Sequence, residues 1–127
     1  TGLEDRVTVK QGDLLAAFDG GTYQGKVDLL VCNPPYISSA KVPNMDVEIS
    51  ANEPSMAFDG GMLGTGIIQK LIREAPVWLA EGGCLLFEVG LGQGPFVMQL
   101  CERTKLYSHI EPVCDDSGNI RVILARQ

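Results

Sequence analysis

Val27-Asp28-Leu29-Leu30-Val31-Cys32-Asn33-Pro34-Pro35-Tyr36 is a near-continuous apolar run stopped by an amide, two prolines and an aromatic ring. Apolar residues without alternation predict a strand buried on both faces, as in a parallel sheet. Pro34 and Pro35 have no backbone N–H to give a ladder and forbid its continuation. Open α/β sheets gather ligands at the carboxyl ends of their parallel strands, so the residues after Cys32 form the candidate site. The Asn33 side-chain oxygen and a proline-fixed backbone carbonyl are two acceptors that can converge on one planar NH2 group. Tyr36 can lie against the flat face of an amide or a base, ordering it and excluding water. The plainer reading of the same residues is a strand stop made of turn formers.

Upstream, Val7-Thr8-Val9 predicts a short strand ending in a turn at Gln11-Gly12-Asp13, where Asp13 can close the strand with a side-chain-to-backbone bond. Downstream, residues 38–62 are rich in Pro, Asn, Ser, Glu and Gly and predict a long loop. Ile67, Ile68, Leu71, Ile72 and Ala75 recur at helical spacing with Thr65 as N-cap, and Pro76 bends or shortens that helix. Gly82-Gly83 then releases the chain into Cys84-Leu85-Leu86-Phe87-Glu88-Val89, a second buried strand. Pro95 suits the first turn of a helix carrying Phe96, Val97, Leu100 and Cys101. A hairpin closes the chain, with His109-Ile110-Glu111-Pro112-Val113 and Ile120-Arg121-Val122-Ile123-Leu124-Ala125 joined by a turn at Asp115–Asn119. The fold class is α/β, finishing in an antiparallel pair.

At 127 residues and 45% hydrophobic content the chain suits one domain with a real core. Ten Lys and Arg against 16 Asp and Glu leave a net charge of −6, which opposes a phosphate backbone and makes nucleic acid a poor partner. Cys32, Cys84, Cys101 and Cys114 form no C-x-x-C pair, which removes the common zinc signature. Their apolar flanks predict buried thiols in a reducing, cytoplasmic setting, and no apolar stretch reaches the roughly 20 residues that span a bilayer. No metal site is expected: Glu111, Asp115 and Asp116 read as a solvated hairpin tip. His109 reads as a strand-surface residue. Glu88, at a strand end, would need a partner as a buried acid.

Asn33 to Tyr36 resembles the N-P-P-Y motif of S-adenosylmethionine-dependent methyltransferases that act on exocyclic or side-chain amide nitrogens. Gln11-Gly12-Asp13-Leu14-Leu15, Glu53-Pro54, Ala57-Phe58-Asp59-Gly60-Gly61, Gly82-Gly83, Glu88-Val89-Gly90, Gln93, Asp115, Gly118 and Arg121 surround it in the order and spacing of one family. That family is the HemK/PrmC-type protein-glutamine methyltransferases, which modify the glutamine of a Gly-Gly-Gln motif in peptide-chain release factors. The resemblance covers nearly the whole chain but only the carboxyl-terminal half of the family's catalytic domain. It implies a partial class I, Rossmann-like methyltransferase sheet, with residues 1–127 a single truncated domain that lacks the amino-terminal glycine-loop strands.

Carried across by residue, the resemblance implies that Asp13 and Leu14 lie near the cofactor's adenine, with Asn33 also at the cofactor. Asn33, Pro34, Pro35 and Tyr36 would hold the substrate amide, with Asn33, Pro34 and Tyr36 catalytic. The reaction implied is in-line attack of a neutral amide nitrogen on a sulfonium methyl, on a protein substrate such as a release factor. Without the glycine loop, S-adenosylmethionine is expected to bind this chain weakly. In the family's sheet the strand ending at Asp13 and the one ending at Cys32 are separated by two others, so a homodimer is expected to cover the gap, or else the Val7–Val9 strand lies beside Val27–Val31.

Two other readings stand beside this one. A non-catalytic binding module could keep the N-P-P-Y pocket while lacking cofactor affinity. Alternatively, Gly90-Leu91-Gly92-Gln93-Gly94 could be a cofactor loop in a permuted nucleic-acid amino-methyltransferase, although 33 residues after Gly94 leave little room for the remaining strands.

Overall fold

The computed structural model describes residues 2–18, 20–35 and 65–127. Four strands, β1 (Val27–Cys32), β2 (Leu79–Glu88), β3 (His109–Cys114) and β4 (Ile120–Arg126), form one sheet in the order β1-β2-β4-β3. β1 and β2 run parallel, and the two pairs involving β4 are antiparallel. A short α1 (Gly20–Tyr23) precedes β1, α2 (Gly66–Glu74) precedes β2, and α3 (Gly94–Thr104) joins β2 to β3. This is an α/β unit with a mixed sheet ending in an antiparallel hairpin, compatible with part of a Rossmann-like methyltransferase fold.

The core lies between one sheet face and the two longer helices. Ile68, Leu71 and Ile72 of α2 and Val97 and Cys101 of α3 are buried against Leu85 and Phe87 of β2 and Ile123 and Ala125 of β4. Each of the Leu, Ile, Val and Phe side chains among them contributes roughly 1.5–3 kcal/mol through apolar burial. The Tyr107 hydroxyl donates a 2.7 Å hydrogen bond to the Ile72 carbonyl, tying the segment before β3 to the last turns of α2. Burial pushes the Tyr107 phenol well above its ordinary range and the Cys101 thiol up to about 12, so both stay neutral and act as packing groups.

Several elements follow local chemistry closely. α2 ends at Glu74, and Pro76 sits inside the single 3-10 turn (Ala75–Val77) that follows. Pro95 occupies the first turn of α3. Thr65 stands at the N-cap position of α2, but its hydroxyl accepts a 3.4 Å bond from the Gln69 side chain and caps no backbone N–H.

The hairpin turn is held by Asp115, which accepts from the backbone N–H of Ser117 and Asn119 at 3.0 and 2.9 Å and from the Asn119 amide. The Asn119 backbone bond, with smaller help from the other donors, holds the Asp115 carboxyl below its ordinary value. A carboxyl depressed in the folded state supports the fold fully above the unfolded value and loses that support as pH falls through the depressed one. Amide exchange at Ser117 and Asn119 is therefore expected to accelerate under acid only below the ordinary aspartate range. A carbon-13 titration placing the Asp115 midpoint at or above that range would contradict it.

The structure corrects four expectations. Residues 7–9 form no strand: Val7 and Val9 are 56% and 91% exposed, and Val7 donates instead to Leu3 in a turn. β-branched residues favour extension only where a neighbouring ladder takes their backbone groups, and none does here among the described residues. The alternative of this strand lying beside β1 falls with it.

β1 is not buried on both faces. Leu30 packs into the core, whereas Leu29 and Val31 are 57% and 66% exposed, because the described helices cover one side of the sheet only. The second strand starts at Leu79, not Cys84, since Val27 pairs with Leu79 before the register jumps to Leu29 opposite Cys84. Of the four thiols only Cys101 is fully buried, with Cys32 and Cys84 half-buried and Cys114 exposed on the hairpin. The expected loop at 38–62 lies outside the described residues.

Candidate active site at the strand ends

β1 stops at Cys32, and Pro34 is fully buried while Pro35 is half-buried. A buried proline of fixed φ anchors the backbone, so Asn33 is presented at the surface from a rigid base. Sheet register then determines its neighbours. Cys32 pairs with Phe87, which sets Asn33 beside Glu88, and Glu88 pairs with Val122. Residues two apart share a face, so Val31 and Leu86 line the open side with Val122. Together Val31, Cys32, Asn33, Leu86, Phe87, Glu88 and Val122 enclose a hollow of about 200 Å³ at the carboxyl ends of β1 and β2.

Glu88 finds its partner across the sheet. Arg121 Nη2 donates to Glu88 Oε1 at 2.9 Å, and each side chain is 32% exposed. The sequence marks Glu88 as an acid that needs a partner and does not show that Arg121 supplies it. Their sequence separation of 33 residues hides the pair until β2 and β4 are in register.

A second, larger cavity of about 340 Å³ flanks the same strand and shares Val31 and Cys32 with the first. Its walls are apolar: Leu14, Leu15, Phe18 and Tyr23 before β1, and Leu71 and Trp78 beyond it. Phe18 meets Tyr23 and Trp78 edge-on at ring-centre distances of 6.0 and 6.2 Å. Nothing local in the sequence marks these three aromatics beyond their placement around Gly20-Gly21 and ahead of β2. Leu14 adopts φ 49°, an uncommon conformation for a leucine, at this wall. Gly12 makes the preceding bend possible, since a Cβ there would lie 2.5 Å from the Ala17 Cβ.

Of the expected cofactor residues, Leu14 lines the larger cavity and Asn33 the smaller, but Asp13 lines neither. Its carboxylate is 69% exposed and accepts a 2.6 Å bond from Lys70 of α2. That bond holds the Lys70 ammonium above its ordinary range. Tyr36 lies outside the described residues, as do Glu53, Pro54 and residues 57–61.

The glycine-rich turn after β2 has a packing role. The Gly90 N–H donates to the Gln93 side chain at 3.0 Å, and Gly94 sits against Ile120. His109 is exposed and lies 3.5 Å from Glu111 on the hairpin surface. Among the described residues no group of His, Cys, Asp and Glu could hold a metal ion, and no helix is long and apolar enough to cross a membrane.

The apolar walls of the larger cavity are of the kind that covers the flat face of an aromatic base such as adenine.

No protein-family model matches the chain. Among curated proteins it is 36% identical over 126 residues, 99% of its length, to the release factor glutamine methyltransferase of Bradyrhizobium diazoefficiens. It is 38% identical over 124 residues to the protein of the same name from Moorella thermoacetica. The ribosomal protein uL3 glutamine methyltransferase of Bradyrhizobium diazoefficiens is 38% identical over 92 residues, 72% of the chain. The match falls in the carboxyl-terminal part of the relatives, and the chain spans 41% and 42% of the two release factor enzymes.

Proposed function

Because this chain belongs to the protein-glutamine methyltransferase family, we propose that Asn33 and Pro34 form the amide-binding end of a site that N-methylates a protein glutamine, with S-adenosylmethionine as donor. The observation that carries the reading is Asn33 standing exposed at the carboxyl end of β1, over a hollow, on a backbone anchored by buried Pro34. When bound, the donor would supply a sulfonium methyl for in-line transfer to the amide nitrogen, with the thioether sulfur as leaving group and one N–H proton lost to solvent. The chain's own part is to position that nitrogen. Asn33 Oδ1 and the Pro34 carbonyl each accept one N–H of the substrate NH2, so its free face is held toward the donor. Tyr36, outside the described residues, enters only through the family motif, as the ring expected to stack on the amide.

A release factor is the favoured substrate, because relatives bearing that name match 81–99% of the chain against 70–72% for uL3 enzymes. The donor's adenine enters the apolar cavity at Leu14, while Asp13 is held outside it by Lys70. Binding through the adenine end alone gives a dissociation constant near the millimolar end of the scale. Titration calorimetry showing low-micromolar affinity would contradict this and return the cofactor role to residues 90–94.

The test of function is transfer of radiolabelled methyl from millimolar S-adenosylmethionine to a release factor, with the glutamine identified by peptide mapping. Labelled glutamine supports the enzyme. Binding of the release factor without transfer supports the binding-module reading. Label on any other residue overturns the proposal.

A further inference from the structure

A groove of about 480 Å³ lies between α2 and α3 and shares no residue with either cavity around β1. Ile72 and Arg73 line it from α2, Leu100, Arg103 and Thr104 from α3, and Leu106 from the segment just after α3. Residues three and four apart share a helix face, so each helix turns an arginine and an aliphatic side chain into the same groove. Arg73 and Arg103 are exposed and form no ion pair or hydrogen bond among the described residues. Among those residues no Asp or Glu lines the groove, although acids outnumber bases 16 to 10 in the chain. A cation in the last turn complements its helix dipole, which accounts for one arginine on each helix. It does not account for both lining one groove. From this juxtaposition we infer that the groove is a docking site for a short acidic segment of a partner protein, with apolar residues between its acids.

The chemistry of the lining selects that occupant. The Thr104 hydroxyl is already engaged, donating to the Cys101 carbonyl at 2.6 Å and accepting from the Leu106 N–H at 3.3 Å, and the Gln69 amide donates to Thr65 at 3.4 Å. The two guanidiniums are therefore the groove's unspent strong donors, and each presents a fork that matches a carboxylate. Ile72 is buried, Leu100 half-buried and Leu106 exposed, so the rest of the lining offers an apolar floor. A free inorganic anion leaves that floor wet. A nucleic-acid strand brings many phosphates against a chain of net charge −6. A peptide whose acids flank aliphatic side chains uses the guanidiniums and the floor together.

The test uses nitrogen-15 and methyl carbon-13 spectra of the whole chain, titrated with the acetylated and amidated tetrapeptide Glu-Leu-Leu-Glu. The peptide is expected to shift the side-chain Nε–H signals of Arg73 and Arg103 and the methyl signals of Leu100 and Leu106. At matched ionic strength, Gln-Leu-Leu-Gln and Glu-Gly-Gly-Glu are each expected to bind about tenfold more weakly, the first for want of charge and the second for want of apolar contact. Arg73→Gln and Arg103→Gln are each expected to weaken Glu-Leu-Leu-Glu about threefold with unaltered circular dichroism. Should either variant fail to fold, the three peptides compared on the unaltered protein decide. The proposal is overturned by equal binding of either control peptide, by no shift at Arg73 and Arg103, or by tighter binding of inorganic phosphate or a short single-stranded RNA at the same signals. Neither arginine lines the cavities around β1, so each of those results leaves the proposed amide site standing.

Discussion

If the full-length form, or this chain with a complementing partner, methylates a release-factor glutamine as proposed, Asn33→Ala is expected to lower that transfer by about 100-fold while leaving the fold intact. Removal of one well-placed polar contact at a reacting centre costs roughly 3 kcal/mol of transition-state stabilisation. The Asn33 side chain is exposed and contributes nothing to the core, so chemical denaturation is expected to give the unaltered midpoint. Both halves of the expectation matter, because a fall in rate with a fall in stability would describe a damaged strand end and not a lost acceptor. Transfer at the unaltered rate would remove Asn33 from the mechanism. The Pro34 carbonyl survives the substitution, so residual activity above background is part of the expected result.

The second large effect falls on Gly94, and its direction separates two roles. Alanine near the start of a helix is ordinarily favoured over glycine by about 1 kcal/mol. Here a Cβ would lie 2.4 Å from the Ile120 Cβ and 2.7 Å from its Cγ2, and both residues sit where α3 meets the start of β4. Overpacking of this kind costs about 2–3 kcal/mol. Gly94→Ala is therefore expected to destabilise the chain despite helix propensity, as read by urea unfolding. If it instead left stability unchanged and weakened S-adenosylmethionine binding, residues 90–94 would be a cofactor loop. A companion Ile120→Val in the Gly94→Ala background is expected to recover part of the loss, because it removes the Cδ1 that also crowds the site at 3.1 Å.

Strand ends and helix starts were legible in the sequence because their causes are covalent and local. Two prolines stop β1 whatever surrounds them, Pro76 cuts α2 into a 3-10 turn, Pro95 opens α3, and Asp115 with Asn119 closes the hairpin through bonds spanning a few residues. Asn33 as the presented side chain followed from that same stop. The spacing of its surroundings carried the family resemblance, which the relatives bear out over nearly the whole chain.

Pairing between distant segments was legible only in part. The β-branched Val7–Val9 segment looked like a strand, but extension needs a ladder partner, and that is a property of the assembled sheet. The apolar run of β1 looked buried on both sides, yet only Leu30 reaches the core while Leu29 and Val31 face outward.

By itself, then, the sequence determined where this chain turns, which residue it presents at the end of β1, and to which family it belongs. Tertiary structure alone decided what stands next to that residue. Glu88 reaches Arg121 across 33 positions and Lys70 reaches Asp13 across 57, and Phe18, Tyr23 and Trp78 close on one cavity. The physical reason is register: a shift of one residue between neighbouring strands turns each side chain to the other face, and no local propensity sets that alignment.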